Sequence, residues 1–489
     1  NTYNVAVGYA AGEAVTTGIR NTLIGGLAGD ALTDADYNVA MGLGALGSDT
    51  LGSNNTAIGS FALGNQNFTT ATISYNVAVG YDAGVSVTTG VKNTLIGSLA
   101  GDALTDADLN TAVGYFSLSA DTLGSRSTAI GTGALKVQNF TTATDAYNTA
   151  VGFEAGVAVT TGVRNTLLGG EAGDALTDAD DNVAIGALAL SGDTLGSRST
   201  AVGRGALKVQ NFTTATQSYN TAVGYSSGES ISTAIQNTLL GAEAGTSLTT
   251  GSQNVAIGAF ALQSETTSAN NVAIGREALK TQNGAANNTA VGRTAGAAVT
   301  TGSANTLLGG LAGDGLTTGS NNVIVGFDTD VDNNGRVGAV ALGSELSTHA
   351  ANNSFRVKGD GGVYNTGNTS AWNTTSDRRI KKNITDSTVG LAEINKIQVR
   401  NFEYRTAKEI TDSELQSYDL EDLAINKTGE QVGCIAQELA EIIPSAVVLD
   451  DRGVNNVQGD ELIWHVIKAI QEQSALITAL TDRIAALEG

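Results

Sequence analysis

Few side chains in this 489-residue chain are equipped for chemistry, and most of those stand alone. The best-spaced oxygen donors lie in Asp330-Val331-Asp332-Asn333-Asn334-Gly335. This run fits the first half of an EF-hand calcium loop, with alternate carboxylate and amide oxygens and then a glycine for the sharp turn. Position twelve, where a bidentate glutamate belongs, is Ala341, and an Asp/Asn/Gly turn is the competing reading. Cys434 is the only cysteine and there are two histidines. That excludes an intrachain disulfide framework and makes a zinc site unexpected, so no metal or other cofactor is predicted. A further run, Ser376-Asp377-Arg378-Arg379-Ile380-Lys381-Lys382-Asn383-Ile384, gathers a hydroxyl, a carboxylate and several cationic groups within nine residues.

The frame that must carry these groups is legible in a five-residue phrase, Asn-[Thr/Val]-[Ala/Leu]-aliphatic-Gly. It begins at Asn4, Asn21, Asn38 and Asn55 and recurs as far as Asn322, with Ser127 and Ser199 replacing Asn in two copies. A degenerate copy follows at Ala339–Gly343. Fifteen of the eighteen intervals are 17 residues and three are 21, giving a superperiod of 72. Such regularity means one unit stacked on copies of itself. Seventeen residues are too few for paired helices but enough for two short strands and two turns, one coil of a β-solenoid. Sixty-two glycines and a single proline, Pro444, suit tight turns and strands that donate on both sides.

In Asn4-Val5-Ala6-Val7-Gly8 alternate side chains point to opposite faces, and both faces are apolar. The Val5/Val7 row is expected to fill the coil interior, and the mostly Ala row to meet a second chain at close range. The recurrent Asn has two readings: an amide ladder from rung to rung, or a side chain that satisfies its own turn. At ~4.8 Å per rung, twenty rungs make a rod of roughly 95 Å. The 21-residue intervals each hold one insertion, centred on Phe68, Phe140 and Phe212. A repeated Phe in a loop is either a contact surface for a glycan or partner, or a side chain folded back over the coil edge.

Residues 1–375 carry 28 acidic and 14 basic side chains, and residues 376–489 carry 20 and 12. Both parts are acidic, so nucleic acid is not an expected partner. No apolar run of ~18 residues exists, so no membrane insertion is expected. The chain opens at Asn1, inside a repeat and without an initiator Met, and is expected to be a fragment of something longer. A glycoside hydrolase would want paired carboxylates amid aromatics, and no repeat supplies them, which disfavours a depolymerase or sialidase.

After about residue 345 the repeat gives way to a polar neck ending at Thr375, and ordinary mixed α/β composition begins at Ser376. Gln431 to Ala436 reads as a strand, and Gln437 to Ile443 as a short helix stopped at Pro444. From Leu462 to Leu487 a heptad seam runs through Ile463, Ile470, Ile477 and Ile484, with Val466, Gln473, Leu480 and Leu487 at its other position. That is a short coiled coil, whose Ile and Leu pattern implies association but not its order.

Three elements in order carry a resemblance. They are Ser376-Asp377-x-x-Ile380-Lys381-x-Asn383-Ile384, then Gly433-x-Ile435-Ala436-Gln437-Glu438 followed by Pro444 and Val447, then the terminal coil. Residues 355–489 resemble the C-terminal intramolecular chaperone, or auto-processing domain, of bacteriophage tail fibres, tailspikes and endosialidases. More loosely, the repeats are similar to the β-roll heads of trimeric autotransporter adhesins. The first resemblance implies a homotrimer, a chaperone that templates the preceding shaft, and self-cleavage at Thr375–Ser376. Ser376 would be the nucleophile and Lys381 its base, with Asp377 and Asn383 as supporting motif residues.

The expected architecture is therefore mainly β: a trimeric β-solenoid over 1–345, a neck over 346–375, an α+β chaperone over 376–461 and a coiled coil over 462–489. Its expected role is a virion appendage, made in the host cytoplasm, that meets a host-surface receptor or glycan. A bacterial surface adhesin carrying a phage-type chaperone is the alternative. A Lys accepts a proton only when neutral, and Arg378, Arg379 and Lys382 are placed to lower the Lys381 pKa. Residues five apart lie on opposite strand faces and ~140° apart on a helix, so the dyad needs a bend or a second chain. The competing role for Ser376 is a helix cap, which Arg379 at the N3 position does not support.

Overall fold

The computed structural model describes residues 2–331, 334–348, 352–353, 355–357, 382–412, 415, 428–449 and 453–488. They fall into two compact units, Asn1–Lys358 and Gly359–Gly489.

The first unit is a β-solenoid. Each coil contributes one strand of three residues, the central residues of the repeated phrase, and pairs in parallel with the coils before and after. Val5, Ala6 and Val7 face Thr22, Leu23 and Ile24, and the same register runs through a 21-stranded sheet that ends at Phe355–Val357. The rest of a coil is turns rather than the expected second strand. Their backbone groups still bond from coil to coil, as in Gly12 N–H to Ala28 O (3.0 Å) and Gly29 N–H to Ala45 O (2.9 Å). Among the described residues, two-residue parallel ladders recur only beside the long coils and near the end, for example Gly52–Ser53 with Thr72–Ile73.

The assignment of the two strand faces is the reverse of the sequence expectation. The middle residue points inward: Leu23 and Ala40 are at most 1% exposed, and the same holds along the column to Ala341. The Val5/Val7 row points outward, with Ile24 half-buried and Met41, Ile96, Leu168 and Leu308 exposed. The reason is volume. A 17-residue coil encloses so little space that its interior admits Ala at the strand and one larger side chain per level.

Where the strand supplies Leu, the turns facing it supply Gly. A Cβ on Gly84 or Gly101 would lie 2.5 or 2.8 Å from the Leu95 methyls. Where the strand supplies Ala, the turn supplies Leu46, Leu63, Leu118 or Leu135, all fully buried. Large and small residues thus alternate to fill the core. The Gly that closes the phrase is equally forced: Gly97 has φ +135°, and a Cβ there would meet Gly114 O at 2.5 Å.

Both readings of the recurrent Asn hold at once. Asn21 Oδ1 accepts from the backbone N–H of Asn38 in the next coil (2.9 Å), and its Nδ2 donates to Ala35 O, which closes its own coil (2.7 Å). The carbonyl sits 14 residues on, so the scheme works only in a 17-residue coil. In the first long coil that position falls inside the insertion, and Asn55 Nδ2 is buried without a partner. In the next two long coils the residue is Ser127 and Ser199, whose hydroxyls accept from Gln138 and Gln210 (3.1 and 2.8 Å).

The inserted phenylalanines fold back: Phe68, Phe140 and Phe212 are only 5–6% exposed. The buried Asp49 holds the first insertion, accepting from Gly52 N–H (3.0 Å), Phe68 N–H (3.1 Å) and Gln66 Nε2 (2.6 Å). Burial raises its carboxyl pKa against the pull of those donors. A Cβ on Gly52 would strike this carboxylate.

Identical substitutions at equivalent rungs should therefore differ in size. Asn38→Ser removes two satisfied buried bonds and should destabilise the shaft by about 1–3 kcal/mol. Asn55→Ser gives up the oxygen that accepts from Asn76 N–H (3.0 Å), but it also removes an orphaned donor and reproduces the Ser199 arrangement, in which Ser218 faces the hydroxyl as Ser74 would. It should cost roughly 1 kcal/mol less than Asn38→Ser, read as a higher denaturation midpoint.

Candidate functional site

Of the predicted site residues, Thr375, Ser376, Asp377 and Lys381 lie outside the described residues. Asn383 is exposed, with a left-handed backbone (φ 54°). What can be built is the frame that the motif leads into.

Val389, Ile394 and Ile397 pack with Cys434, Ile442, Val447 and Leu462 around Leu439, Ile443 and Ala446. This core joins a one-turn helix, Leu391–Ile394, to the helix Ala436–Ile442, where Pro444 then starts a 3-10 turn. Two small antiparallel pairs flank it: Arg400–Phe402 with Gln431–Gly433, and Val447–Leu449 with Asn455–Val457. The expected strand at 431–436 is thus three residues long, because the chain turns into the helix at Ala436. Arg400 forks onto Glu438 (2.9 and 3.2 Å), an exposed pair of modest worth.

The last helix spans Gly459–Glu488. Its seam side chains Ile463, Ile470, Ile477, Leu480 and Ile484 are all exposed, at 49–61%. Two groups that the sequence reading did not single out sit off that seam. Glu472 Oε2 accepts from Leu391 N–H (2.8 Å), and His465 Nδ1 lies 3.3 Å from Ser387 Oγ. The available signal was that both hold the same heptad position, one heptad apart, around the buried Ala469.

The calcium-like run is woven into the solenoid. Asp330 opens a two-residue strand paired with Ser347–Thr348, and its Oδ2 accepts from Gly315 N–H (2.8 Å). Asn334 O accepts from the backbone N–H groups of Thr317, Thr318 and Gly319 (2.8–3.0 Å). Asp332 lies outside the described residues. Burial, with Asp314 and Asp328 nearby, pushes the Asp330 carboxyl up to about 6. Among the described residues no group of three or more His, Cys, Asp or Glu side chains is arranged to hold a metal. None of the described helices is long and apolar enough to cross a membrane.

Residues 376–448 match the family model described as chaperone of endosialidase. No curated protein matches the chain. The match begins at Ser376 and ends at Val448, inside the strand that follows Pro444.

A folded-state pKa of about 6 against the ordinary 3.8 means that the fold holds the Asp330 proton more tightly than the unfolded chain. Stability linked to this group is highest below the unfolded pKa and falls as pH rises through about 6, by at most about 3 kcal/mol. Asp330→Asn should therefore gain on wild type between about pH 4 and pH 7 and hold that gain above it, read as a growing and then constant difference in melting temperature.

Proposed function

From a chaperone-of-endosialidase domain standing behind a long β-solenoid, we propose a homotrimeric tail fibre that bears on a host surface and whose C-terminal domain assembles the shaft and then cuts itself free. The chaperone domain and the solenoid fit a tail-fibre-like protein. Such a fibre is carried on the virion and attaches to a receptor or glycan of the host.

The observation that supports assembly most directly is the reversed strand face. A column of Val, Ile, Leu and Met side chains runs the length of the shaft on the outside of the sheet. Monomeric proteins rarely expose a contiguous apolar surface of this extent. Copies of the same chain, in the same register, would cover it level by level. The exposed seam of the last helix offers a second self-complementary surface. Pairing long shafts is slow and prone to misregister, and a helical clamp raises the local concentration of the strands.

In the proposed cleavage, Ser376 Oγ attacks the Thr375 carbonyl carbon while the neutral Lys381 amine takes the hydroxyl proton. The Thr375–Ser376 C–N bond breaks, the proton passes to the departing α-amine of Ser376, and water hydrolyses the resulting ester. The role of Ser376 predicts two fragments from the wild type and one full-length band from Ser376→Ala, by mass spectrometry with oligomer sizing. Lys381→Ala should slow cleavage by ~10²–10⁴-fold while leaving the trimer intact. Deleting residues 462–489 should abolish both trimer and cleavage. A monomer that cuts at the normal rate would defeat the link between them.

A further inference from the structure

The last helix has two working faces, and only one of them is the seam. Taking Ile463 and Ile470 as one seam position and Val466 as the other, these residues and Ile467 stand exposed along one side. The side that carries His465, Ala469 and Glu472 lies well over 90° around the helix from the seam centre, at ~100° per residue. That second side is covered by the chain's own segment from Ser387 to Ile397.

The cover is held by specific polar contacts as well as packing. Glu472 Oε2 takes the Leu391 N–H at 2.8 Å, a charge-assisted bond to an otherwise free first-turn amide. Lys468 lies 3.7 Å from the same carboxylate. His465 Nδ1 meets Ser387 Oγ at 3.3 Å, and Ser387 also accepts from Val389 N–H (3.2 Å). Leu462, at the start of this face, packs into the small core with Val389, Ile394 and Ile397. Gly390 is the residue that admits the carboxylate. A Cβ there would lie 2.3 Å from Glu472 Oε2 and 2.6 Å from Oε1.

We infer that Glu472 and His465 are positioning residues for the cleavage step. They fasten the segment beginning at Ser387, eleven residues after Ser376, to the face of the helix that the seam leaves free. One helix can then pack against other copies and order its own chain behind the scissile motif at the same time. This rests on the processing reading given above. It adds that cutting can be lost while assembly is kept, because the contacts that fasten this segment are not the contacts of the seam.

The test uses the full-length chain in three variants beside wild type. Glu472→Ala removes the acceptor, Gly390→Ala excludes the carboxylate sterically without changing charge, and Glu472→Gln keeps one acceptor oxygen. The expected result is an unchanged trimer throughout, by analytical ultracentrifugation. Cleavage should slow by about 10- to 100-fold in the two Ala variants, as for a remote misplacement of reacting groups, with most of the rate restored in Glu472→Gln. Wild-type cleavage rates in both Ala variants overturn the inference while leaving the processing reading intact. Loss of the trimer in Glu472→Ala also overturns it, by placing Glu472 in assembly. A wild type that never cuts, with Ser376→Ala indistinguishable from it, removes the processing reading and this inference together.

Discussion

One carboxamide that bonds in two directions sets the dimensions of the shaft. The Asn side chain closes its own coil through a carbonyl 14 residues on and receives the backbone of the next coil on its other end. Both groups are buried, so neither can be left to water, and an unpaired one costs about 1–3 kcal/mol. The coil length therefore cannot drift. Where it does change, by four residues, the chemistry changes with it: Asn gives way to Ser in two of the three long coils, Gln bridges the gap, and a buried Asp gathers the inserted backbone. Where the insertion is missing at the fourth superperiod, Glu265 stands in the place of Asp and takes the Thr267, Ser268 and Gly284 amides and Gln282 instead.

The small interior that follows has a consequence for association. A coil this narrow can bury the middle residue of its strand and a single Leu or Gly opposite, and little else. The larger aliphatic residues of the same strand are left outside, aligned at every level by the parallel register. The interior that makes a stable rung is thus the cause of an apolar outer surface.

The C-terminal unit works on a different scale, with a core of a few residues, two strand pairs and a helix that projects well beyond its packing. Its order comes from a division of one helix into faces. The seam leaves apolar side chains exposed, and the opposite face spends its polar groups on the segment that precedes the first short helix.

The solenoid, its period and its turn glycines were legible because repetition places the same demand on the same residue type at every level, and the demand shows as spacing. The chaperone domain and the long final helix were legible for the same reason: each shows as a local pattern. The sequence could not say which apolar face lies inside, since a Val/Ile row and an Ala row are equally consistent with alternation; the enclosed volume decides, and that exists only once the coil closes. Nor did it reveal that Asn55 is left without a partner, or that Glu472 caps a turn 81 residues earlier. Those contacts join residues distant in the chain, and a hydrogen bond or a packed ring is a property of the space between them.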